Sequence, residues 1–437
     1  MKKQHHYGLK RELGFWELTL SGIGIILGAG IYALIGKAAG VAGNGIWLSF
    51  LISALLAALT GLSYAEFSSM FPKAGAEYVY TKRSFGNLAA FVIGWLVIFS
   101  GVIGASTVAL GFAGYATSLF ATPLVPVALL LIMALSFIIF WGIKQSTRLA
   151  VVFTLIEGAG LIIIIAIGLP HLGSVNYFEF PSVASVFSAA ALIFFAFIGF
   201  EEMVRLSEET KRPSRTVPRA LLTAIAVTTI FYILVALSAV SILSPAELAA
   251  SSSPMADVAA RVLGPQAFLL IAVIALFSTS NTVLLMLLAA SRITYGIAKD
   301  RCMPALLARV HPRRRTPHIA IALVMVLALI GTVGGDIHLV ASITDFTIYV
   351  TFVAINLGVI AMRYRAPRQR RAFRIPGSIG RLPVIPLLGA ITSFTLMLSL
   401  SFQTLLFGVL LTFAGFVFYR ILVKEGICKP EAAHLKK

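Results

Sequence analysis

The sequence predicts an all-α membrane protein with twelve transmembrane helices, and three observations support this fold class. Of the 437 residues, 59% are hydrophobic and only 12% are charged, whereas a soluble domain carries about 25% charged residues. The mean hydropathy is +0.96. Twelve apolar runs are long enough to cross a bilayer as helices, which takes about 20 residues each. Lys and Arg residues also collect on one side of the predicted membrane.

The twelve apolar runs are separated by short polar connections. None shows the alternation over about ten residues that is typical of a membrane β-barrel strand. The runs cover residues 15–39, 45–70, 86–119, 124–142, 149–169, 182–204, 217–243, 265–297, 318–335, 338–362, 383–402 and 404–423. We therefore interpret residues 1–437 as one transmembrane domain.

The basic residues predict the orientation. A net charge of +18 would suggest nucleic-acid binding in a soluble protein, but the positions of the charges indicate a membrane topology. With the N-terminus in the cytoplasm, 33 of the 35 Lys and Arg residues lie inside, leaving Lys37 and Arg261 outside. We expect a plasma-membrane protein with both termini cytoplasmic. Cys302 and Cys428 fall on that reducing side, so no disulfide is expected.

The first span, "GIGIILGAGIYALIG", contains glycine where helices are weakest. An unwound backbone at membrane depth survives only in a cavity or buried in protein. At Gly28, Ala29 and Gly30, unwinding would expose N–H groups at the start of a half-helix, which favours an anion such as a carboxylate. Close packing of helices through small residues is the alternative interpretation. The spacing is not a nucleotide fingerprint, and the chain has no enzyme, metal or cofactor motif.

The sixth span, "FFAFIGFEEMVRL", has the same character because a glycine and two glutamates interrupt an apolar run. The first and sixth spans occupy equivalent positions if residues 15–169 and 182–362 are inverted repeats of five helices. Helices 11 and 12, within 383–423, then lie outside the repeat. Paired discontinuous helices of this kind indicate a transporter binding site.

Four ordered segments resemble the amino acid–polyamine–organocation transporter superfamily, most closely its cationic amino acid transporter branch and related prokaryotic amino acid permeases. They are "GIGIILGAGIYALIGKAAG", "YAEFSSMFPKAGAEYVY", "FFAFIGFEEMVRLSEETKRPSRTVPRA" and "SRITYGIAKDRCMP". The resemblance covers essentially the whole chain. It implies a LeuT-like five-plus-five fold with discontinuous helices 1 and 6, and transport of an amino acid by alternating access.

The resemblance also implies a substrate site. The N–H groups of Gly28, Ala29 and Gly30 would bind the substrate carboxylate. Backbone carbonyls would bind its ammonium group, those of Ile26, Phe195, Ala196 and Ile198.

The side chains that follow the second interruption have candidate roles as well. Phe197 and Phe200 are candidates for gating or for lining the pocket, although core packing explains them equally well. Glu201 or Glu202 would meet a basic substrate side chain, and only one can do so because adjacent helical residues point about 100° apart.

Glu157, in "VVFTLIEGAGLIIII", lies near mid-depth in the fifth span. An ionisable residue there is a functional hypothesis by default. Proton-coupled relatives place a lysine at this point, counted from Gly142, Lys144 and Arg148, so the glutamate departs from the pattern. A low dielectric favours the neutral carboxyl, and we predict that Glu157 couples transport to protons. The alternative is a protonated structural glutamic acid bonded to a backbone carbonyl.

Other polar groups have two interpretations each. In "FSTSNTVLL", Ser278, Thr279 and Ser280 stand where sodium-coupled relatives place ligands, but such hydroxyls also bond their own helix. Three acidic residues are candidates for an inner gate that pairs with basic loops, or for a solvated face: Glu66, Glu208 and Glu209.

The sequence therefore predicts a secondary amino acid transporter driven by protons. The alternatives are an exchanger of amino acids or polyamines, a sodium symporter, and a substrate sensor. A sensor would be expected to carry a long cytoplasmic extension, and the tails here are short. The expected partners are a small-molecule amino acid and membrane lipids, with no nucleic acid. The oligomeric state is left open.

Overall fold

The computed structural model describes residues 13–71, 76–205, 210–314, 316–333 and 337–428. Their main elements are the helices α1 Phe15–Ile26, α2 Ala29–Ala42, α3 Ile46–Met70, α4 Ala76–Phe85, α5 Asn87–Phe120, α6 Leu124–Trp141, α7 Ile143–Gly168, α8 Val183–Ile193, α9 Glu202–Arg205, α10 Pro213–Ile242, α11 Pro245–Ala250, α12 Pro254–Leu263, α13 Pro265–Lys299, α14 His318–Val333, α15 Ile337–Arg365, α16 Val384–Leu398 and α17 Phe402–Lys424. Short 3₁₀ segments occupy Gly43–Gly45, Leu169–His171, Phe194–Phe197 and Ala305–Ala308. Strands β1 (Ser378–Ile379) and β2 (Leu382–Pro383) pair antiparallel.

The predicted all-α membrane class is confirmed. Within the described ranges, nine helical segments are long and apolar enough to cross a membrane, and three shorter apolar helices accompany them: α1, α14 and α16. Large apolar side chains remain exposed on the perimeter, such as Leu155 at 73% and Phe402 at 81%. A water-facing surface would not present such side chains in this number, whereas lipid is a suitable surrounding for them.

In the part of the chain that the structure describes, the first and sixth of the predicted apolar runs are each interrupted. Helix α1 ends at Ile26, and Gly28 then turns its N–H back onto the Ile26 carbonyl at 2.7 Å before α2 begins. Helix α8 ends at Ile193 and continues as the 3₁₀ segment Phe194–Phe197, after which the chain is irregular until Glu202.

The interrupted helices lie inside a frame of longer ones. Helix α13 packs along α5, and α10 packs along both α3 and α1. Helix α2 and the 3₁₀ segment after α8 contact each other in the interior. The frame therefore encloses both interruptions, where irregular backbone is tolerated because protein covers it.

The expectation about the cysteines is wrong in this structure. Cys302 and Cys428 are joined by a disulfide across 126 residues of sequence. The expectation rested on the compartment alone. The fold brings the end of α17 against the loop that follows α13, and both cysteines are buried there.

Candidate functional site

The two interruptions touch each other in the middle of the molecule. A Cβ atom on Gly30 would lie 2.5 Å from the Ala196 Cα, so only glycine permits this approach. On the other side, Gly199 has φ +124° and stands against Ile25. A side chain at Gly199 would meet both a forbidden backbone region and a close neighbour. The glycines that the sequence singled out at the two interruptions therefore bring two irregular backbones into contact.

Tyr232 on α10 bridges the two interruptions. Its hydroxyl lies 2.5 Å from the Ile26 carbonyl oxygen and 2.8 Å from that of Ala196. Both carbonyls belong to the set predicted to bind an ammonium group. A hydroxyl has one proton to donate, so the two carbonyls share a single donor. Sequence reasoning missed Tyr232. The available signal was a tyrosine inside an apolar span, because a buried phenol usually requires a hydrogen-bond partner.

The N–H groups predicted to bind a carboxylate are partly engaged. The Gly28 N–H is donated to the Ile26 carbonyl, and the Ala29 N–H is donated to the Thr282 hydroxyl at 2.9 Å. Thr282, on α13, thus caps the first turn of α2 as an oxygen acceptor should. In this conformation a hydroxyl of the protein therefore occupies the position predicted from the sequence for a carboxylate oxygen.

Aromatic rings pack around the two interruptions. Phe197 makes an edge contact with Tyr232 at 5.2 Å between ring centroids, and Phe200 lies 5.3 Å from Phe352. Both phenylalanines are fully buried. Within the 3₁₀ segment, the Phe195 carbonyl accepts the Ile198 N–H at 3.3 Å. The rings therefore fill the space around the two interruptions in this conformation. Their packing is compatible with gating or pocket lining and equally with core packing.

Glu201 holds the backbone of the second interruption. Its carboxylate oxygen Oε2 accepts the Gly199 N–H at 2.9 Å, and the side chain is buried. An oxygen two residues away thus satisfies a donor that the broken helix leaves without a partner.

Glu157 lies on α7 and is completely buried. Neither carboxyl oxygen has a hydrogen-bond partner in the described protein. The backbone carbonyl of Glu157 accepts the Tyr32 hydroxyl at 3.0 Å, which ties this turn of α7 to α2. The alternative interpretation required a bond from the carboxyl to a backbone carbonyl, and none is found here.

Two side chains of α13 face the Glu157 carboxyl, those of Ser278 and Asn281. The Ser278 hydroxyl and the Asn281 Oδ1 are also buried without a partner, while the Asn281 amide donates to Thr154 at 3.2 Å. The Ser278 hydroxyl and the Asn281 side chain, together with the Glu157 carboxyl, form a buried polar group between α7 and α13, which we call the oxygen cluster. Such a group can hold a proton or a hard cation.

The three residues predicted on α13 differ in their hydrogen bonds. Thr279 donates its hydroxyl to the Ala275 carbonyl at 2.6 Å, as a helical threonine commonly does. Ser280 is buried, but no hydrogen bond ties it to the cluster. Residues three and four apart share a helix face, whereas three consecutive residues do not. The spacing of Ser278, Asn281 and Thr282 puts these residues on one face of α13, so it was the better sequence signal for the polar contacts that α13 makes.

Glu66, near the end of α3, has the opposite surroundings. Its oxygens accept from the Arg363 Nε at 3.0 Å and from the Ile375 N–H at 2.9 Å, and Arg371 lies 3.2 Å away. Glu66 is fully buried, which agrees with charge pairing and not with a solvated face. Glu208 and Glu209, the other predicted gate residues, lie outside the described residues.

Asp345 on α15 is another buried carboxyl, and sequence reasoning missed it. It is fully buried and neither oxygen has a partner in the described protein. One turn further on, Tyr349 donates to the Ala191 carbonyl at 2.8 Å and packs on Phe194. The argument used for Glu157, an acid inside an apolar span, applies equally to Asp345.

Comparisons with known proteins agree with this architecture. The family profile described as "Amino acid permease" matches residues 13–422. The chain is 32% identical to the branched-chain amino acid permease BcaP of Bacillus subtilis, over 94% of this chain and 92% of that protein. It is 31% identical to the methylthioribose transporter of the same organism, over 94% and 93% of the two chains. It is 30% identical to cationic amino acid transporter 5 of Arabidopsis thaliana, over 83% and 67%.

These relatives are permeases and transporters, so the chain is a multi-pass membrane transporter and not an enzyme. The resemblance inferred from the sequence motifs is confirmed. This chain belongs to the amino acid permease family of the amino acid–polyamine–organocation superfamily.

Proposed function

We propose that the protein is a secondary active transporter that moves an amino acid across the plasma membrane by alternating access, coupled to protons. The proposal includes twelve transmembrane helices in two inverted repeats of five, with two further helices and both termini cytoplasmic. The observation that carries it is the contact of Gly30 with Ala196 between two interrupted helices. This contact supports the proposal because backbone donors and acceptors of two interrupted helices near each other are what an α-amino acid requires.

The proposed substrate complex uses both interruptions. The substrate carboxylate accepts from the N–H groups of Gly28, Ala29 and Gly30, and displaces the Thr282 hydroxyl from Ala29. Its ammonium group donates to the carbonyls near Tyr232. Tyr232 can remain in place, because a carbonyl oxygen has two lone pairs.

The side chain of the substrate meets the aromatic residues in this proposal. Phe197 and Phe200 turn aside to admit it. Glu201 serves a basic substrate side chain through the oxygen that does not bond Gly199. The relatives differ in the substrate that their names give, so a direct binding screen is needed to identify the substrate class.

Glu157 is the proposed proton carrier. A buried carboxyl without a hydrogen-bond partner is costly to ionise, so access to water in one conformation and burial in the other would change its protonation. Its backbone is tied to α2, the second half of the interrupted first helix. We assign coupling to Glu157 in preference to Asp345 because the backbone of Glu157 itself bonds the interrupted helix, whereas the bond from the Asp345 turn to α8 is made by Tyr349.

A sodium symporter is the second candidate. The oxygen cluster favours it, because Ser278 and Asn281 add neutral oxygens to one carboxylate, which suits a hard cation. The two candidates differ in whether uptake follows a proton gradient or a sodium gradient.

A screen of the purified protein would test the proposal. Thermal shift against all amino acids and common polyamines, at two pH values, identifies ligands. Uptake of each ligand into proteoliposomes is then measured with a proton gradient, with a sodium gradient and with neither. We expect accumulation only with the proton gradient. Accumulation driven by sodium would support the second candidate, counterflow without any gradient would indicate an exchanger, and binding without transport would indicate a sensor.

A further inference from the structure

The segment between α15 and α16 folds over the end of α3 and forms an open cavity lined with arginine. The cavity measures about 370 Å³ and is lined by Arg363, Pro367, Gln369, Arg371, Arg374 and Arg381. A neighbouring cavity of about 540 Å³ shares Arg371 and adds Arg212, Arg215 and Arg370. Volumes of this size are typical of small-ligand sites.

The arginines of the first cavity fall into two groups. Arg363 and Arg371 are buried side chains paired with Glu66. Arg363 also donates to Ser378 at 2.6 Å, and Arg371 donates to the Gln369 carbonyl at 2.9 Å. Their orientations are therefore fixed by the protein.

The second group consists of Arg374 and Arg381, which are exposed. Neither has an acidic partner in the part of the chain that the structure describes. Four guanidinium groups thus stand against the single carboxylate of Glu66, an excess of three positive charges. The pKa of Arg371 is lowered by burial and also by Arg363 and Arg374, whereas Glu66 raises it.

We propose that this cavity binds a phosphate group, supplied either by the headgroup of an anionic lipid or by a soluble phosphate compound. Planar guanidinium forks match phosphate oxygens in pairs, and Arg374 and Arg381 have free forks. Because Arg363 and Arg371 are already held in place by the protein, less conformational entropy is lost when a ligand binds at this site. The excess charge favours an anion with more than one negative oxygen. This inference is independent of the proposed transport mechanism.

Binding has a structural consequence. A phosphate bound to Arg374 and Arg381 offsets the electrostatic repulsion between Arg371 and its neighbouring arginines, and it holds the segment between α15 and α16 against Glu66. The contact between α3 and α15 becomes more stable when the cavity is occupied, because a ligand that binds the folded state stabilises it.

The test is thermal unfolding of the purified full chain in detergent. Inorganic phosphate and phosphatidylglycerol are titrated at constant ionic strength, with phosphatidylcholine as the lipid without net charge. The proteins are wild type, the Arg374→Gln/Arg381→Gln double variant, and Arg309→Gln. Arg309 is exposed and lies outside the cavity, so it is the matched control.

We expect the melting temperature of wild type and of the control to rise with a probe, and half-saturation in the double variant to need about tenfold more of it. A rise with phosphatidylglycerol alone assigns a lipid, and a rise with inorganic phosphate assigns a soluble compound. The proposal is overturned if neither probe raises the melting temperature, or if the double variant responds like wild type. The two single variants repeat the comparison if the double variant does not fold.

Discussion

Glu66 and Glu157 are both completely buried carboxyls, yet their surroundings are opposite. Glu66 receives donors from two arginines and a backbone N–H. Glu157 faces hydroxyl and amide groups but bonds to none of them. The difference teaches that burial alone does not define the role of a membrane-protein acid. The number of hydrogen-bond donors around the carboxyl distinguishes the two acids, because donors compensate a buried negative charge and their absence leaves it uncompensated.

Replacing each acid with glutamine should produce the largest difference in stability between the two positions. Glu66→Gln leaves Arg363 and Arg371 buried without an anion, and we expect the free energy of unfolding to fall by about 3–5 kcal/mol. Glu157→Gln removes an unpaired acid, so stability should be unchanged or higher. Expression yield and melting temperature of the two variants measure this. Equal losses in both would contradict the distinction.

The contact between the interrupted helices should be the next most sensitive feature. Gly30→Ala would force a methyl group against the Ala196 backbone, and we expect a loss of about 1–3 kcal/mol together with greatly reduced uptake. Gly158→Ala is the control, because no atom lies within 4 Å of a Cβ at that position, one residue from Glu157. Uptake assays and thermal unfolding compare the two. Full uptake in the Gly30→Ala protein would count against a site between the interruptions.

Tyr232→Phe tests the bridge between the interruptions. The Ile26 and Ala196 carbonyls lose their shared donor, and we expect a cost of about 1–2 kcal/mol with a changed KM for the substrate. Among the described residues the Tyr419 hydroxyl makes no hydrogen bond, so Tyr419→Phe should behave like wild type. A substrate KM unaltered by Tyr232→Phe would place the bridge outside the working site.

The smallest effect is expected at a third acid, Glu247, in the connection between α10 and α13. The Ser244 backbone N–H and hydroxyl and the Arg261 guanidinium lower the pKa of this exposed carboxyl from 4.5 to about 2. A depressed pKa gives stability that is present above pH 4.5 and is lost as the pH falls towards 2. The protection factors of the Ser244–Arg261 amides, which are exchange rates corrected for the intrinsic rate at each pH, should therefore fall as the pH is lowered over that range. In Glu247→Gln the protection factors should not change across the range, and a pH dependence equal to wild type would contradict this origin.

Much of the fold could be predicted from the sequence because bilayer thickness imposes apolar runs of fixed length, and the all-α membrane class followed from them. The glycines at the two interruptions were also visible in the sequence, in the first and sixth apolar runs. The contacts across the site could not be predicted. Thr282 and Asn281 lie 253 and 127 residues from Ala29 and Thr154, the groups they bond. Only the packing of α13 against α2 and α7 reveals those pairs.

The cysteine pair shows the same limit. Compartment reasoning concerned which side of the membrane each residue occupies, whereas the bond between Cys302 and Cys428 depends on where α17 ends in space. Asp345 is a different case. Its position inside an apolar span was as informative as that of Glu157, so the sequence contained that signal.

The central claim is that Glu157 carries the coupled proton, and proton movement itself tests it most directly. Substrate is added outside proteoliposomes that contain a pH-sensitive dye, with no initial pH gradient. Wild type should acidify the lumen as substrate enters. Glu157→Gln should still let substrate equilibrate while the lumen pH stays constant. Acidification by the Glu157→Gln variant equal to that of wild type would contradict the claim.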